Sequence, residues 1–212
     1  MIRILLLSCF FSFSLAAQNN MQSFRGLSAP EKRWVIFHPF IAKKAHRISL
    51  HARAVTDSLA KAKALDGDAA GGQLDAFRHV YWMALLTKKT SARKARKLGK
   101  AHEKGNYLAF KKGAVEDGAQ PDSASMIMDL KNNEYGISWG KRAGKYDGVR
   151  HVFPDVSTRR TIYFIETGEA WIISKDAEGY VLDCDGNRVD MEKWKGKWDI
   201  PKCVVKSNSL RR

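Results

Sequence analysis

Apolar residues recur three and four positions apart over much of the chain, which is the spacing of amphipathic helices. In residues 40–65 the recurring positions are Ile41, Ala45, Ile48, Ala52 and Val55. Similar patterns predict three more helices: residues 73–86, residues 92–104 between a capping Ser91 and Gly105-Asn106, and a segment capped by Asp122 or Ser123. The chain is therefore predicted to be mainly α, with a helical domain of about four helices.

The pattern changes after Gly148, where β-branched and aromatic residues occur in short runs. Residues 170–174 and 179–182 predict strands, and a turn at 185–187 indicates a hairpin. Residues 160–165 fit a strand as well as the end of a helix. We therefore predict a small β-rich extension at the C-terminus.

The N-terminus has the three parts of a secretory signal peptide. Arg3 supplies a positive charge, twelve mostly apolar residues follow, and Ala16 and Ala17 are small residues suited to cleavage. The apolar run is too short to cross a bilayer. The residues before Cys9 resemble the cleavage signal of lipoproteins. That signal should end the apolar run, but the run continues past Cys9, so we favour cleavage after Ala17. We predict an exported protein, periplasmic or extracellular, with no transmembrane span in the mature chain.

These features divide the chain into a signal peptide at 1–17, a lead-in segment at 18–39, a helical core domain at 40–148 and a β-rich tail at 149–212. The tail holds the two cysteines that remain after cleavage, Cys184 and Cys203. In an oxidising compartment such a pair suits one disulfide, and two unpaired thiols are the alternative.

The formal net charge of +15 becomes +14 when Arg3 leaves with the signal peptide. The charge is concentrated in residues 88–112, where ten Lys or Arg accompany one acid, Glu103. Such a surface attracts an anionic substrate or polymer, or the surface of a membrane. Nucleic acid is also anionic, but export argues against a chromosomal role. A solvated basic face with no dedicated partner is the alternative.

The second predicted helix carries polar residues on a face that should be buried. Asp75 and His79 are four residues apart, so they project from one face, one turn apart. Trp82 continues that face, and Arg78 lies on the neighbouring stripe.

The next two helices repeat this arrangement. His102 lies on the least charged face of the third helix and is predicted to point inward, with Glu103 at the edge of that face. On the fourth helix Asp129 and Asn133 share a stripe with two small residues that allow close packing, Gly136 and Gly140.

Burying an unpaired carboxylate is costly, so these polar groups must find partners. They satisfy one another in a structural network, or they hold a metal and act on a substrate. Asp and His one turn apart can ligate zinc or a similar divalent ion together, and a His beside a carboxylate can serve as a general base. The spacing alone leaves both interpretations open.

Three sequence elements occur in order: D-A-F-R-H-V-Y-W-M-A-L at 75–85, A-H-E at 101–103 and M-D-L-K-N-N-E-Y-G at 128–136. Together they resemble the motifs of an uncharacterised bacterial domain family of unknown function, and the resemblance covers about residues 40–171. It implies a secreted protein or a domain at the end of a toxin-like polypeptide. Toxin-like contexts favour enzymes that cut envelope lipids, peptidoglycan or nucleic acid, although a family does not fix a function.

The leading hypothesis is a hydrolase that acts on an anionic envelope substrate, a phospholipid or other phosphodiester, with help from a divalent metal such as zinc. The predicted catalytic residues are His79, His102, Glu103 and Asp75; the predicted substrate-binding residues are Arg78, Asn133 and Trp82; the predicted metal ligands are Asp75, His79, His102 and Asp129. The alternative is a non-catalytic envelope-binding module whose basic helix contacts an anionic polymer or a membrane surface. No Ser or Cys lies in a G-x-S-x-G context, which disfavours covalent catalysis.

Overall fold

A computed structural model describes residues 22–114, 120–145 and 156–209. Its main helices are α1 (Ala29–Phe37), α2 (Pro39–Lys61), α3 (Gln73–Lys89), α4 (Ala92–Phe110), α5 (Ser123–Lys145) and α6 (Thr158–Glu166). Two short strands, β1 (Trp171–Ile173) and β2 (Val204–Lys206), pair antiparallel. The mainly helical fold with a small β-rich C-terminal part is as predicted. The predicted signal peptide, residues 1–17, lies outside the described residues.

Helix α3 lies at the centre of the fold, because twelve of its seventeen residues are buried. It packs against α2, α4, α5, α6 and β1. Its closest neighbour is α5, where Gly136 and Gly140 face the backbone carbonyls of Val80 and Ala84. The close packing predicted for these two glycines is confirmed. A helix buried on almost every side brings its polar side chains into the interior together with its apolar ones.

Helix α1 lies within the predicted lead-in segment, residues 18–39. Ser28 Oγ accepts a hydrogen bond from the backbone N–H of Glu31, and the Glu31 carboxylate accepts one from the backbone N–H of Ser28. This capping box satisfies N–H groups that the start of a helix leaves without partners. Trp34 anchors the helix, since its buried indole donates to the carbonyl of Lys94 in α4 at 3.2 Å.

Helix α4 continues past Gly105, where we predicted that it would end. A side chain at Gly105 would meet Ser28 Oγ at 2.4 Å, so this glycine allows α1 to approach and does not terminate the helix. The additional residues carry Tyr107 and Phe110, whose rings pack against Trp198 at centroid distances of 4.8 and 5.0 Å. The longer helix therefore provides the surface on which the C-terminal segment rests.

Residues 160–165, which fitted a strand or a helix end, lie in helix α6. Ser157 caps this helix by accepting from the backbone N–H of Arg160 at 3.3 Å, and Phe164 and Ile165 bury its inner face. The strand predicted at 170–174 is present as β1, and the hairpin predicted from the 179–182 strand and the 185–187 turn is represented by the isolated bridge between Leu182 and Arg188. Cys184 and Cys203 form a disulfide.

The β-rich part packs directly on the helices. Asn132 of α5 accepts from the backbone N–H of Trp171 and donates to its carbonyl, both at 2.9 Å. Lys202 forms an ion pair with Asp122, the residue that caps α5, at 2.7 Å. The predicted boundary between residues 148 and 149 lies outside the described residues. None of the helices in the described ranges combines the length and apolar character needed to cross a membrane.

Candidate metal centre

His79 lies between two carboxylates that come from different helices. Its Nε2 is 3.2 Å from Oδ1 of Asp129 in α5 and 3.6 Å from Oδ1 of Asp75 in α3. One ligand atom from each of these three buried residues lies within 4.8 Å of the other two. Ligands about 2.1 Å from a tetrahedral metal ion stand about 3.4 Å apart, so this spacing suits such an ion.

Asn133 determines how the His79 ring is protonated. Its Oδ1 lies 3.2 Å from Nδ1 of His79, and its Nδ2 donates to Oε1 of Glu103 at 3.4 Å. A carboxylate only accepts hydrogen bonds, so the amide group of Asn133 must face Glu103 and its oxygen must face His79. Nδ1 of His79 is therefore the donor, and in the neutral ring the lone pair of Nε2 faces the two aspartates.

The short distances favour a cation at this point. Nε2 lies 3.2 and 3.6 Å from two carboxylate oxygens, and a proton or a metal cation between them would add to the charge that the Arg78 guanidinium group places beside Asp75. Burial lowers the pKa of His79 well below its usual range, and the positive charges of Arg78 and His102 lower it further. A neutral imidazole is the form that ligates a metal.

Asp75 is held in place from two further directions. Its Oδ2 accepts from the backbone N–H of Gly71 at 2.9 Å, and its Oδ1 accepts from Nη2 of Arg78 at 2.7 Å. The Arg78 side chain is 22% exposed, whereas that of Asp75 is 8% exposed. The guanidinium group therefore lies at the solvent side of the cluster.

The structure reverses the predicted positions of His102 and Glu103. Glu103, predicted at the edge, is only 2% exposed and contacts Asn133, whereas the His102 side chain is 22% exposed. His102 Nδ1 lies 3.1 Å from Oε1 of Glu31, and its ring meets that of Trp82 edge-on at 5.5 Å. The approach of α1 turns His102 toward Glu31. Among the described residues, Asp75, His79 and Asp129 have ligand atoms close enough to share a metal ion, and His102 is not part of this group.

Two cavities meet at this cluster. The larger measures about 590 Å³ and is lined mainly by apolar residues of α1, α2 and α3. The smaller measures about 80 Å³ and is lined mainly by polar residues, with Trp198 and Lys202 from the C-terminal part. Arg78, His79 and His102 line both cavities. A ligand with one apolar and one polar end would place its polar end at the cluster.

The sequence therefore identified most of the cluster. Asp75, Arg78, His79, Trp82, His102, Glu103, Asp129 and Asn133 all lie in it or beside it. Glu31 and Lys202 were not predicted to belong to the site. Only Glu31 had a local signal, since Ser28-x-x-Glu31 is the pattern of a capping box.

The contact between Glu31 and His102 makes the stability of the protein sensitive to acid. Burial raises the pKa of Glu31, but hydrogen bonds from His102 and Ser28 and the charge of His102 outweigh it and lower the pKa from 4.5 to about 2. The carboxylate therefore stabilises the fold fully above pH 4.5, and this contribution is lost as the pH falls toward 2. We expect at most about 3 kcal/mol from this pair.

This expectation can be checked by urea unfolding of the wild type and of Glu31→Gln across that pH range. Glu31→Gln should lose this contribution, so its stability should vary less with pH than that of the wild type. Glu134→Gln is the matched control, because Glu134 pairs with Arg96 on the surface, where solvent screens the interaction. Equal slopes in the wild type and in Glu31→Gln would contradict the expectation.

The fold and the cluster define a mainly helical protein with a buried His–carboxylate centre between an apolar and a polar cavity. A family model described as "Domain of unknown function (DUF6973)" matches residues 32–158, which is more than half of the chain. The chain belongs to this family, and the match spans α2–α5, which carry the whole cluster. No curated protein and no solved structure gave a significant match.

Proposed function

We propose that this protein is an exported, metal-assisted hydrolase that acts on an anionic substrate, a phospholipid or another phosphodiester. The observation that carries the proposal is the convergence of Asp75, His79 and Asp129 at the junction of two cavities, with Arg78 beside them. Three protein ligands leave coordination positions for water and substrate, as in catalytic metal sites. Export and the toxin-like context implied by the sequence resemblance stay predictions.

Each residue of the cluster has a distinct part in this proposal. Asp75, His79 and Asp129 would ligate the metal, which would supply an activated water. Glu103 and Asn133 orient the His79 ring, as residues behind metal ligands commonly do.

In this proposal, the residues nearest the cavities bind the substrate and transfer a proton. Arg78 offers a planar pair of donors to the anionic oxygens of the substrate. Hydrolysis joins the oxygen of one water to phosphorus and breaks one ester P–O bond, and a proton must reach the leaving alcohol. His102 lines both cavities and is our candidate for this proton transfer. The apolar cavity favours a substrate with a hydrocarbon part.

The proposal is tested by incubating the purified protein, loaded with Zn²⁺ or Mn²⁺, with bis(p-nitrophenyl) phosphate and with phosphatidylglycerol. We expect turnover by the wild type and a loss of at least about a thousand-fold in kcat/KM for His79→Ala. His51→Ala is the matched control, because His51 is exposed and lines neither cavity. Circular dichroism checks that each variant is folded. No turnover by the metal-loaded wild type, or equal turnover by His79→Ala, would reject the proposal.

A second candidate function is a non-catalytic envelope-binding module. It is favoured by the outer face of α4, where Arg93, Lys97, Lys100 and Lys104 are all exposed. Under this alternative the buried cluster only holds α3, α4 and α5 together. Salt-sensitive binding to an anionic polymer that persists in a folded His79→Ala variant would support it.

A further inference from the structure

The junction between α1 and α2 exposes large apolar side chains. Ile36 and Phe37 at the end of α1 are 65% and 73% exposed, and Phe40 at the start of α2 is 99% exposed. Exposing three neighbouring large apolar residues to water is unfavourable, and such patches commonly mark sites of protein or membrane contact.

Basic residues surround this apolar patch. Arg33 precedes it by one turn of α1, and Lys43, Lys44 and Arg47 follow Phe40 at intervals of three, four and seven residues, so they lie on the same side of α2. All four basic side chains are exposed. Exposed aromatic residues bordered by Lys and Arg are the composition of segments that lie in the interface of an anionic membrane.

The junction is held firmly by the interior of the protein. Trp34 is buried, and the carbonyl of Trp34 contacts Nδ1 of His38 at 2.8 Å. The Trp34 and His38 rings are stacked with centroids 4.7 Å apart, and Pro39 begins α2. The exposed side chains are thus presented by a fixed backbone, which lowers the entropic cost of docking.

The inner side of the same junction lines the apolar cavity. Val35, Pro39 and Ala42 belong to the lining of the 590 Å³ cavity, which also includes Arg78 and His79. A membrane in contact with the outer side would therefore lie next to the walls of the cavity that leads to the cluster.

We propose that the α1–α2 corner (Arg33, Ile36, Phe37, Phe40, Lys43, Lys44 and Arg47) docks the protein on the surface of an anionic lipid bilayer. The apolar side chains enter the boundary between headgroups and acyl chains, and the basic side chains contact lipid phosphates. This docking does not depend on hydrolysis, so the failure of either proposal leaves the other standing.

The test is cosedimentation of the purified protein with vesicles of phosphatidylcholine alone and of phosphatidylcholine mixed with an equal amount of phosphatidylglycerol. We expect the wild type to bind the anionic vesicles and the combined Lys43→Gln, Lys44→Gln, Arg47→Gln variant to bind them roughly a hundred-fold more weakly, since each basic residue at an anionic surface contributes about five-fold. Phe37→Ser with Phe40→Ser should weaken binding by at least about ten-fold. All these side chains are exposed, so the variants should fold normally.

The matched controls change similar side chains elsewhere. Lys97→Gln, Lys100→Gln and Lys104→Gln remove three exposed charges from α4, and Ile127→Ser with Tyr180→Ser remove two other exposed apolar residues. These variants should bind the anionic vesicles within a few-fold of the wild type. Loss of binding in the α4 variant alone would overturn the proposal in favour of the basic helix.

Two further results would overturn the proposal. One is a wild type that binds neither kind of vesicle. The other is concentration-dependent self-association without vesicles, measured by analytical ultracentrifugation and lost in the Phe37→Ser, Phe40→Ser variant. That result would assign the α1–α2 corner to contact between two copies of the chain.

Discussion

His79→Ala is expected to abolish stoichiometric metal binding, while the wild type retains close to one zinc or manganese ion per chain after dialysis without chelator. His79 supplies the central ligand atom, 3.2 and 3.6 Å from the two aspartate oxygens. Removing it leaves Asp75 and Asp129 without the neutral ligand that joins them, and we expect affinity to fall by at least about a hundred-fold. Elemental analysis of the purified chains measures this directly, and His51→Ala, which changes a histidine outside both cavities, should retain the metal.

Asn133→Leu is a second test of whether the cluster is a metal site or a structural network. Leucine has a similar size but cannot accept the proton of His79 Nδ1, so the ring loses the group that fixes its orientation. Because Asn133 is not itself one of the proposed ligands, the metal affinity should fall by about ten- to a hundred-fold without being abolished. Absence of metal from the wild type, with His79→Ala unfolding at a much lower temperature, would instead identify the cluster as a structural network.

Gly136→Ala and Gly140→Ala are each expected to destabilise the fold by about 3 kcal/mol, because each added Cβ meets backbone. At Gly136 the Cβ would lie 2.4 Å from the carbonyl oxygen of Val80, and at Gly140 it would lie 2.5 Å from that of Ala84. These oxygens belong to the interior of α3 and cannot rotate away, so α3 and α5 must separate. Since the two helices carry Asp75, His79, Asp129 and Asn133, metal affinity should fall as well.

Chemical denaturation of the glycine variants measures this effect. Gly26→Ala is the control, because no atom lies within 4 Å of a Cβ placed there, and it should change the free energy of unfolding by less than about 0.5 kcal/mol. Equal stability of Gly136→Ala and the wild type would show that α3 and α5 have room to adjust. The close packing of these helices would then have another cause.

Local patterns in the sequence predicted the helical elements well where burial and propensity agree. The centres of α2, α3 and α5 follow from the repeat of apolar residues, and Ser91 caps α4 as predicted. An error falls where a contact with a distant residue changes the outcome: Gly105 has the composition of a helix end, but there it allows the approach of Ser28 and the helix continues. For residues 160–165, which fitted a strand as well as a helix end, the burial of Phe164 and Ile165 selects the helix.

Helical spacing in the sequence is enough to place Asp75, His79, Asp129 and Asn133 on faces that must be buried. Tertiary packing fixes how these groups pair. It set Glu103 against Asn133, turned His102 toward Glu31, and brought Trp198 and Lys202 of the C-terminal part to the edge of the polar cavity. Periodicity depends on neighbours within a few residues, whereas these pairings depend on the approach of segments tens of residues apart. The contacts within the cluster therefore follow only from the packing of α1, α4, α5 and the C-terminal part around α3.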